Sequence, residues 1–180
     1  MDEGKTLFRL LRNDENPLQF GIIAKIPLAV ESPRNHISEG SKLPSQWIST
    51  SRNMAAIDLL IKLKRKTEGP NAKCRVAVID EQKLLWYSQL SVFQIRQLFQ
   101  TFNIRNGQIP AHLYPMLCPT ISLTTGPVLD FTDQQVLDTY IPTVQGVGNN
   151  NKIRGYAMKY SEVLVERYIP ADCCIAVYNK

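Results

Sequence analysis

The 180-residue chain has few of the residues that build metal sites, disulfides or membrane spans. Its two histidines, His36 and His112, stand far apart with no ligand spacing around them. A structural zinc ion needs clustered Cys and His ligands, so no metal is expected. The four cysteines, Cys74, Cys118, Cys173 and Cys174, form no Cys-x-x-Cys pair, and a bridge between adjacent Cys173 and Cys174 would be strained. Reduced thiols in an intracellular compartment, cytoplasmic or nuclear, are expected. Met1-Asp2-Glu3-Gly4-Lys5 lacks the basic-then-apolar order of an export signal. No apolar run reaches the roughly 18 residues of a membrane helix, so a soluble chain without a membrane partner is expected. There is no internal repeat, and the only low-complexity run is Asn149-Asn150-Asn151.

What is present fits a globular protein. Hydrophobic residues make up 44% and charged residues 21% of a chain whose length suits one domain, residues 1–180, acting as a monomer. The net charge of +5 gives a mild attraction to polyanions, short of a dedicated nucleic-acid patch.

Patterning predicts short strands over Leu7–Leu11, Gln19–Lys25, Gln46–Ser51, Cys74–Asp80, Ser161–Tyr168 and Cys173–Tyr178, with a further short one near Ile121–Thr124. A helix is expected from Met54, capped by Ser51 or Asn53 and ending at Gly69-Pro70; its Lys62, Lys64, Arg65 and Lys66 read as cations near a helix C-terminus. Further helices are expected over Ser91–Phe102, with Phe93, Ile95, Leu98, Phe99 and Phe102 at core spacing, and over Asp133–Ile141. Turn formers without periodicity predict a surface loop over Glu31–Pro44. Ile109–Pro127 reads as largely irregular, and Gly146, Gly148, Gly155 and the asparagines mark Thr143–Gly155 as a mobile loop.

Three segments hold polar residues that their surroundings do not explain. In the first strand, alternation groups Arg9 with Leu7 and Leu11, opposite Phe8 and Leu10. A guanidinium in an apolar strand must meet a carboxylate, as a structural ion pair, or a phosphate that its planar fork suits. Trp47-Ile48-Ser49-Thr50-Ser51 sets Trp47, Ser49 and Ser51 on one face and Ile48 and Thr50 on the other. Backbone hydrogen bonding and helix capping would account for each hydroxyl alone. In Tyr160-Ser161-Glu162-Val163-Leu164-Val165-Glu166, Glu162 shares a face with Tyr160, Leu164 and Glu166. Read singly, it is a solvated carboxylate at the start of a strand.

Together and in this order, Leu7-Phe8-Arg9, Trp47-Ile48-Ser49-Thr50-Ser51 and Ser161-Glu162-Val163-Leu164-Val165 resemble the arginine, serine and glutamate motifs of the cholera-toxin-like R-S-E group of ADP-ribosyltransferases. The resemblance spans most of the chain. It implies an α+β fold of split antiparallel β-sheets flanked by helices, with NAD, as substrate, in a cleft between them. It also implies mono-ADP-ribosyl transfer: the nicotinamide–ribose bond breaks through an oxocarbenium-like state that Glu162 stabilises. Arg9 would hold NAD phosphate or ribose, and Ser49 would position the glutamate or ribose. Thr50 joins the cofactor contacts in that scheme, and His36 is a candidate contact to the adenosine half.

Arginine-modifying members carry a second glutamate two residues before the catalytic one, and here that position is Tyr160. The acceptor implied is then a guanine base in DNA or another macromolecular group, including a protein side chain. Tyr160, Tyr156 and Arg154 are candidates for its recognition, and Lys152 and Lys159 supply charge nearby. The competing expectations are an inactive module of the same fold that binds NAD, ADP-ribose or a partner protein, and an interaction domain in which the three motifs coincide by chance.

Overall fold

Short segments rich in β-branched residues alternate with amphipathic ones along this chain, and the strands they form all pair antiparallel. The computed structural model describes residues 5–105, 107–143 and 149–180. In chain order the elements are β1 (Thr6–Leu10), α1 (Pro17–Phe20), β2 (Ile22–Ile23), α2 (Pro33–Glu39), β3 (Trp47–Ser51), α3 (Met54–Glu68), β4 (Arg75–Asp80) and α4 (Glu81–Thr101). They continue with α5 (Tyr114–Ser122), β5 (Val128–Asp130), α6 (Gln134–Tyr140), α7 (Asn150–Lys159), β6 (Glu162–Glu166), β7 (Tyr168–Ile169) and β8 (Cys174–Asn179). The fold is α+β, as expected.

A six-stranded sheet runs in the order β5-β6-β3-β1-β4-β8, and β2 and β7 form a separate ribbon. β1 pairs with β4 along its whole length, and β3 does the same with β6. Between β1 and β3 the register holds only at Phe8 opposite Ser51. The large sheet is therefore two three-stranded halves, β5-β6-β3 and β1-β4-β8, joined at a narrow seam.

Each half has its own helical cover. Ile57 and Ile61 of α3 pack on Val76 and Cys74, with Phe8 and Leu10 against them. Leu137 and Ile141, at the end of α6, and Ile153 and Ala157 of α7 pack on Trp47, Leu129 and Leu164. The opposite face carries Leu7, Leu11, Ile48, Ala77, Ile79, Val163 and Val165, closed by Ile22, Ile169 and Leu84. Burying each large aliphatic side chain there stabilises the fold by roughly 1.5–3 kcal/mol. The alternation expected for β1, β3 and β6 thus matches the two faces of the sheet.

Several expectations need correction. Residues 33–39 are helical, not loop: Ser32 caps the helix by accepting the Asn35 amide, and Pro33 stands at the first helical position. Only Ile22–Ile23 of the expected Gln19–Lys25 strand is extended, because Pro17 starts a helical turn closed by Gly21 at φ 70°. The helix expected at Ser91 begins ten residues earlier, with Asp80 accepting the Lys83 amide as its cap. Its distal part is not core, since Phe93 and Val92 are each 56% exposed. Val92, Ile95 and Phe99 instead help line an open cavity of about 650 Å³ with Arg96, Gln100, Asn103 and Ile104. Residues 114–122 form a helix, with Pro115 in its first turn and Pro119 inside, and the strand of this region is Val128–Asp130, not Ile121–Thr124. Gly146 and Gly148 lie outside the described residues. Asn150–Lys159 is a helix, not loop. Asn150, 4% exposed, accepts from Arg34 of α2 and donates to the Pro142 carbonyl, and these bonds tie the start of α7 down.

Among the described residues no helix is long and apolar enough to cross a membrane, and no three His, Cys, Asp or Glu gather as a metal site would require. All four cysteines are unbridged.

Candidate functional site

Ser49 lies at the centre of a polar cluster at the seam. Its carbonyl accepts from Arg9 Nη1 at 2.7 Å, its hydroxyl lies 2.9 Å from His36 Nε2, and the same hydroxyl faces the Glu162 carboxyl and helps hold its pKa down. Arg9 begins on the Leu7 and Leu11 face and reaches Ser49 where β1 and β3 have parted. The splayed seam gives the guanidinium room that a fully paired sheet would deny it.

Arg9 also has a carboxylate partner. Glu15, 6% exposed, meets Nη2 at 2.8 Å and Nε at 3.4 Å and accepts the Arg12 amide at 2.8 Å. The ion-pair reading of Arg9 thus describes part of its environment. Of the five guanidinium N–H groups, these contacts take three.

His36 stands behind Ser49 in α2, 7% exposed, with both ring nitrogens bonded: Nδ1 lies 2.6 Å from Ser45 Oγ. This corrects the expectation that His36 lies in a loop. Burial, helped by the charges of Arg9 and Lys25, pulls its pKa from 6.5 down to about 4, so the ring is neutral near pH 7. A serine hydroxyl has a single hydrogen. When Ser49 donates it to Glu162, His36 Nε2–H donates to Ser49, and Nδ1 accepts from Ser45. The result is a directed chain from Ser45 through His36 to Ser49, with the Glu162 carboxyl facing its end.

Glu162 is the first residue of β6, delivered by a sharp reversal. α7 ends at Lys159, Tyr160 closes it, and Ser161 turns the chain at φ 45°. The Ser51 hydroxyl donates to the Tyr160 carbonyl at 2.7 Å, the Arg52 amide to the Ser161 carbonyl at 3.1 Å, and the Phe131 amide to the Glu162 carbonyl at 2.9 Å. Every carbonyl of the turn is thus held. Burial pushes the Glu162 carboxyl up to about 7, against the Ser49 hydrogen bond and the Arg9 charge, which lower it. Such a group is divided between its acid and base forms near neutral pH.

Arg9, Ser49 and Glu162 therefore converge, as the sequence order implied, and His36 joins them from behind. Residues 21–116 match the family model described as a domain of unknown function, DUF7587. The chain belongs to the DUF7587 family. No curated protein matches it. The matched segment of this DUF7587 chain contains His36, Ser45 and Ser49, whereas Arg9 and Glu162 lie outside it.

The other candidates stand apart from the cluster. Thr50, expected among the cofactor contacts, is 3% exposed on the opposite face and donates its hydroxyl to the Val163 carbonyl at 2.7 Å. Arg154, expected to recognise an acceptor, points the other way: it pairs with Asp138 at 2.8 Å and donates to the Ile141 carbonyl at 2.7 Å, fastening α7 to α6. Tyr156 is exposed and Tyr160 half-buried, with Lys152 and Lys159 placed over their respective rings at 5.7 and 5.4 Å.

The sequence reading missed Glu15, Ser45 and Arg52. Glu15 sat in a turn-like run, Asn13-Asp14-Glu15-Asn16-Pro17, that reads as solvated. Ser45 and Arg52 flank the serine strand and carry no motif of their own.

Proposed function

We propose that this chain is an NAD-dependent mono-ADP-ribosyltransferase of the R-S-E type, with an ADP-ribosyltransferase-like fold of split antiparallel sheets. The observation that carries this reading is the convergence of Arg9, Ser49 and Glu162 on one point, from two separate half-sheets. In the reaction, NAD and an acceptor X–H give ADP-ribosyl-X, nicotinamide and a proton. The nicotinamide–ribose bond breaks with its electron pair leaving on nicotinamide, and positive charge builds on the ribose. The ionised Glu162 stabilises that charge by hydrogen bonding the ribose hydroxyl. Ser49, held by His36, fixes the carboxylate. Arg9 retains two N–H groups for an NAD phosphate while its other three orient it. His36 is a positioning residue in this scheme.

With Tyr160 in place of a second glutamate, no carboxylate two residues before Glu162 activates an acceptor arginine. A guanine base in DNA, or a protein side chain other than arginine, is the acceptor this favours. Tyr160, next to the reversal before Glu162, would stack on it.

A specific observation favours a second reading. The buried Glu15 already satisfies much of the Arg9 fork, as in a module of this fold that binds NAD or ADP-ribose without turnover. Incubating the folded protein with NAD labelled on nicotinamide, alone and with protein, DNA or RNA, separates the two. Release that disappears in Glu162→Gln supports the transferase. Calorimetric NAD binding without release in any mixture supports the module, and neither binding nor release overturns both.

A further inference from the structure

Arg52 follows the serine strand directly and belongs to no motif, yet it makes the densest set of charged contacts among the described residues. Its Nη1 and Nη2 grip the two carboxylate oxygens of Glu81 at 2.8 and 2.5 Å, and its Nε meets Asp130 Oδ2 at 2.6 Å. Glu81 is 7% exposed and opens α4 directly after β4, so it belongs to the β1-β4-β8 half. Asp130 ends β5 in the other half, opposite Val163 in the register, and its Oδ1 accepts from the Thr132 amide and hydroxyl. The guanidinium therefore spans the seam at the end where Ser51 faces Glu162, just beyond the single bridge between β1 and β3. Its own amide meanwhile holds the Ser161 carbonyl, one residue before Glu162.

We infer that Arg52 is a positioning residue for Glu162: its fork fixes the angle between the two half-sheets, and so sets the carboxylate against Ser49 and Arg9. The inference rests on the transferase reading for its kinetic consequence, but not for its structural one. A planar fork suits this place because it meets both oxygens of Glu81 side by side and Asp130 through Nε, a geometry that the compact point charge of an ammonium does not reproduce. The cluster also carries one positive and two negative charges. Losing Arg52 would leave Glu81 and Asp130 to repel one another and open the seam.

The test compares wild type with Arg52→Lys, Arg52→Gln and Asp130→Asn, the last of which leaves the grip on Glu81 intact and takes the charge out of the link to β5. Thermal unfolding first establishes which variants fold at the assay temperature. The first readout is the titration of Glu162 by carbon-13 NMR, its signal assigned by its loss in Glu162→Gln. Burial is the main cause of the raised Glu162 midpoint, so loosening the seam lowers that midpoint from about 7 toward the ordinary carboxylate range. The second readout is nicotinamide release. Because Arg52 does not touch NAD in this scheme, kcat falls by about tenfold or more while KM for NAD stays within about twofold, and lysine recovers part of the loss.

An unchanged Glu162 midpoint in the folded variants overturns the inference, as does a loss confined to KM. If wild type releases no nicotinamide with any acceptor, the transferase reading fails, and the NMR titration still decides whether Arg52 positions Glu162.

Discussion

Replacing His36 with glutamine measures what it costs to keep an imidazole neutral behind Ser49. The ring titrates at about 4 in the folded protein against 6.5 for an unperturbed histidine. At about 1.4 kcal/mol per pH unit, the gap of about 2.5 units corresponds to about 3 kcal/mol. A depressed histidine pKa means that the unfolded chain takes up the proton first as pH falls. Wild type therefore loses up to about 3 kcal/mol of stability between pH 6.5 and pH 4, and none of this loss appears above pH 6.5. Glutamine does not titrate. It also keeps only part of the bonding to Ser45 and Ser49, so near pH 7.5 the variant should be less stable by about 1–2 kcal/mol. By about pH 4.5 the imidazole's loss exceeds that deficit, and the variant becomes the more stable protein. Glu162 contributes with the opposite sign, because its raised pKa favours the folded state as pH falls; it titrates in both proteins and cancels except for what the exchange transmits through Ser49. Urea unfolding followed by the fluorescence of Trp47 and Trp86 across this pH range gives the two curves. A stability difference constant to within about 0.5 kcal/mol would refute the reasoning, since it would mean that His36 is not held neutral by burial.

Other outcomes follow from the same geometry. Glu162→Gln should lower nicotinamide release about 10²–10³-fold with NAD affinity retained, as measured by turnover and calorimetry. In wild type, release should rise with pH and level off above about 7 as Glu162 ionises. The Ser49→Ala profile should shift to higher pH, because the lost hydrogen bond is one that holds the pKa down. Arg9→Met leaves the buried Glu15 carboxylate without its main partner and should cost about 3 kcal/mol in urea unfolding, at the low end for a broken buried pair because Arg12 still serves Glu15. Gly126→Ala would drive a new Cβ into the Glu166 carboxylate and side chain and close to the Arg167 guanidinium. A loss of about 1–3 kcal/mol in thermal or chemical unfolding is expected, with site chemistry unaffected.

The parts legible in the sequence were those that a local rule controls. Alternation gave β1, β3 and β6 their faces, and Asn53 and Asp133 were visible as starts of α3 and α6 because caps depend on the next few residues. α2 was legible too, through Ser32-Pro33 as cap and first helical residue, but the surrounding turn formers outweighed that signal. α7 was hidden for a different reason. Its start rests on Asn149 in the left-handed region and on Asn150 bonded to Arg34, a partner 116 positions away. The Glu15 pairing, the serine bonds of His36 and the carboxylates of Arg52 are likewise products of strand order, which no spacing along the chain displays. For that reason Thr50 and Arg154 looked like site residues: one lies within the serine motif and the other a few residues before the glutamate motif, yet Thr50 faces the other side of its strand and Arg154 is spent on Asp138.

The single bridge between Phe8 and Ser51 makes the angle between the two halves of the sheet the variable that assembles the polar cluster. The β1-β4-β8 and β5-β6-β3 halves carry separate helix layers on one face and share a single core of Leu7, Ile48, Ala77, Ile79, Val163 and Val165 on the other. Arg9 arrives with one and Ser49 and Glu162 with the other. The cluster of Arg9, Ser49 and Glu162 exists only where the two halves meet, and a change that tilts one against the other would part it while leaving every helix and strand intact.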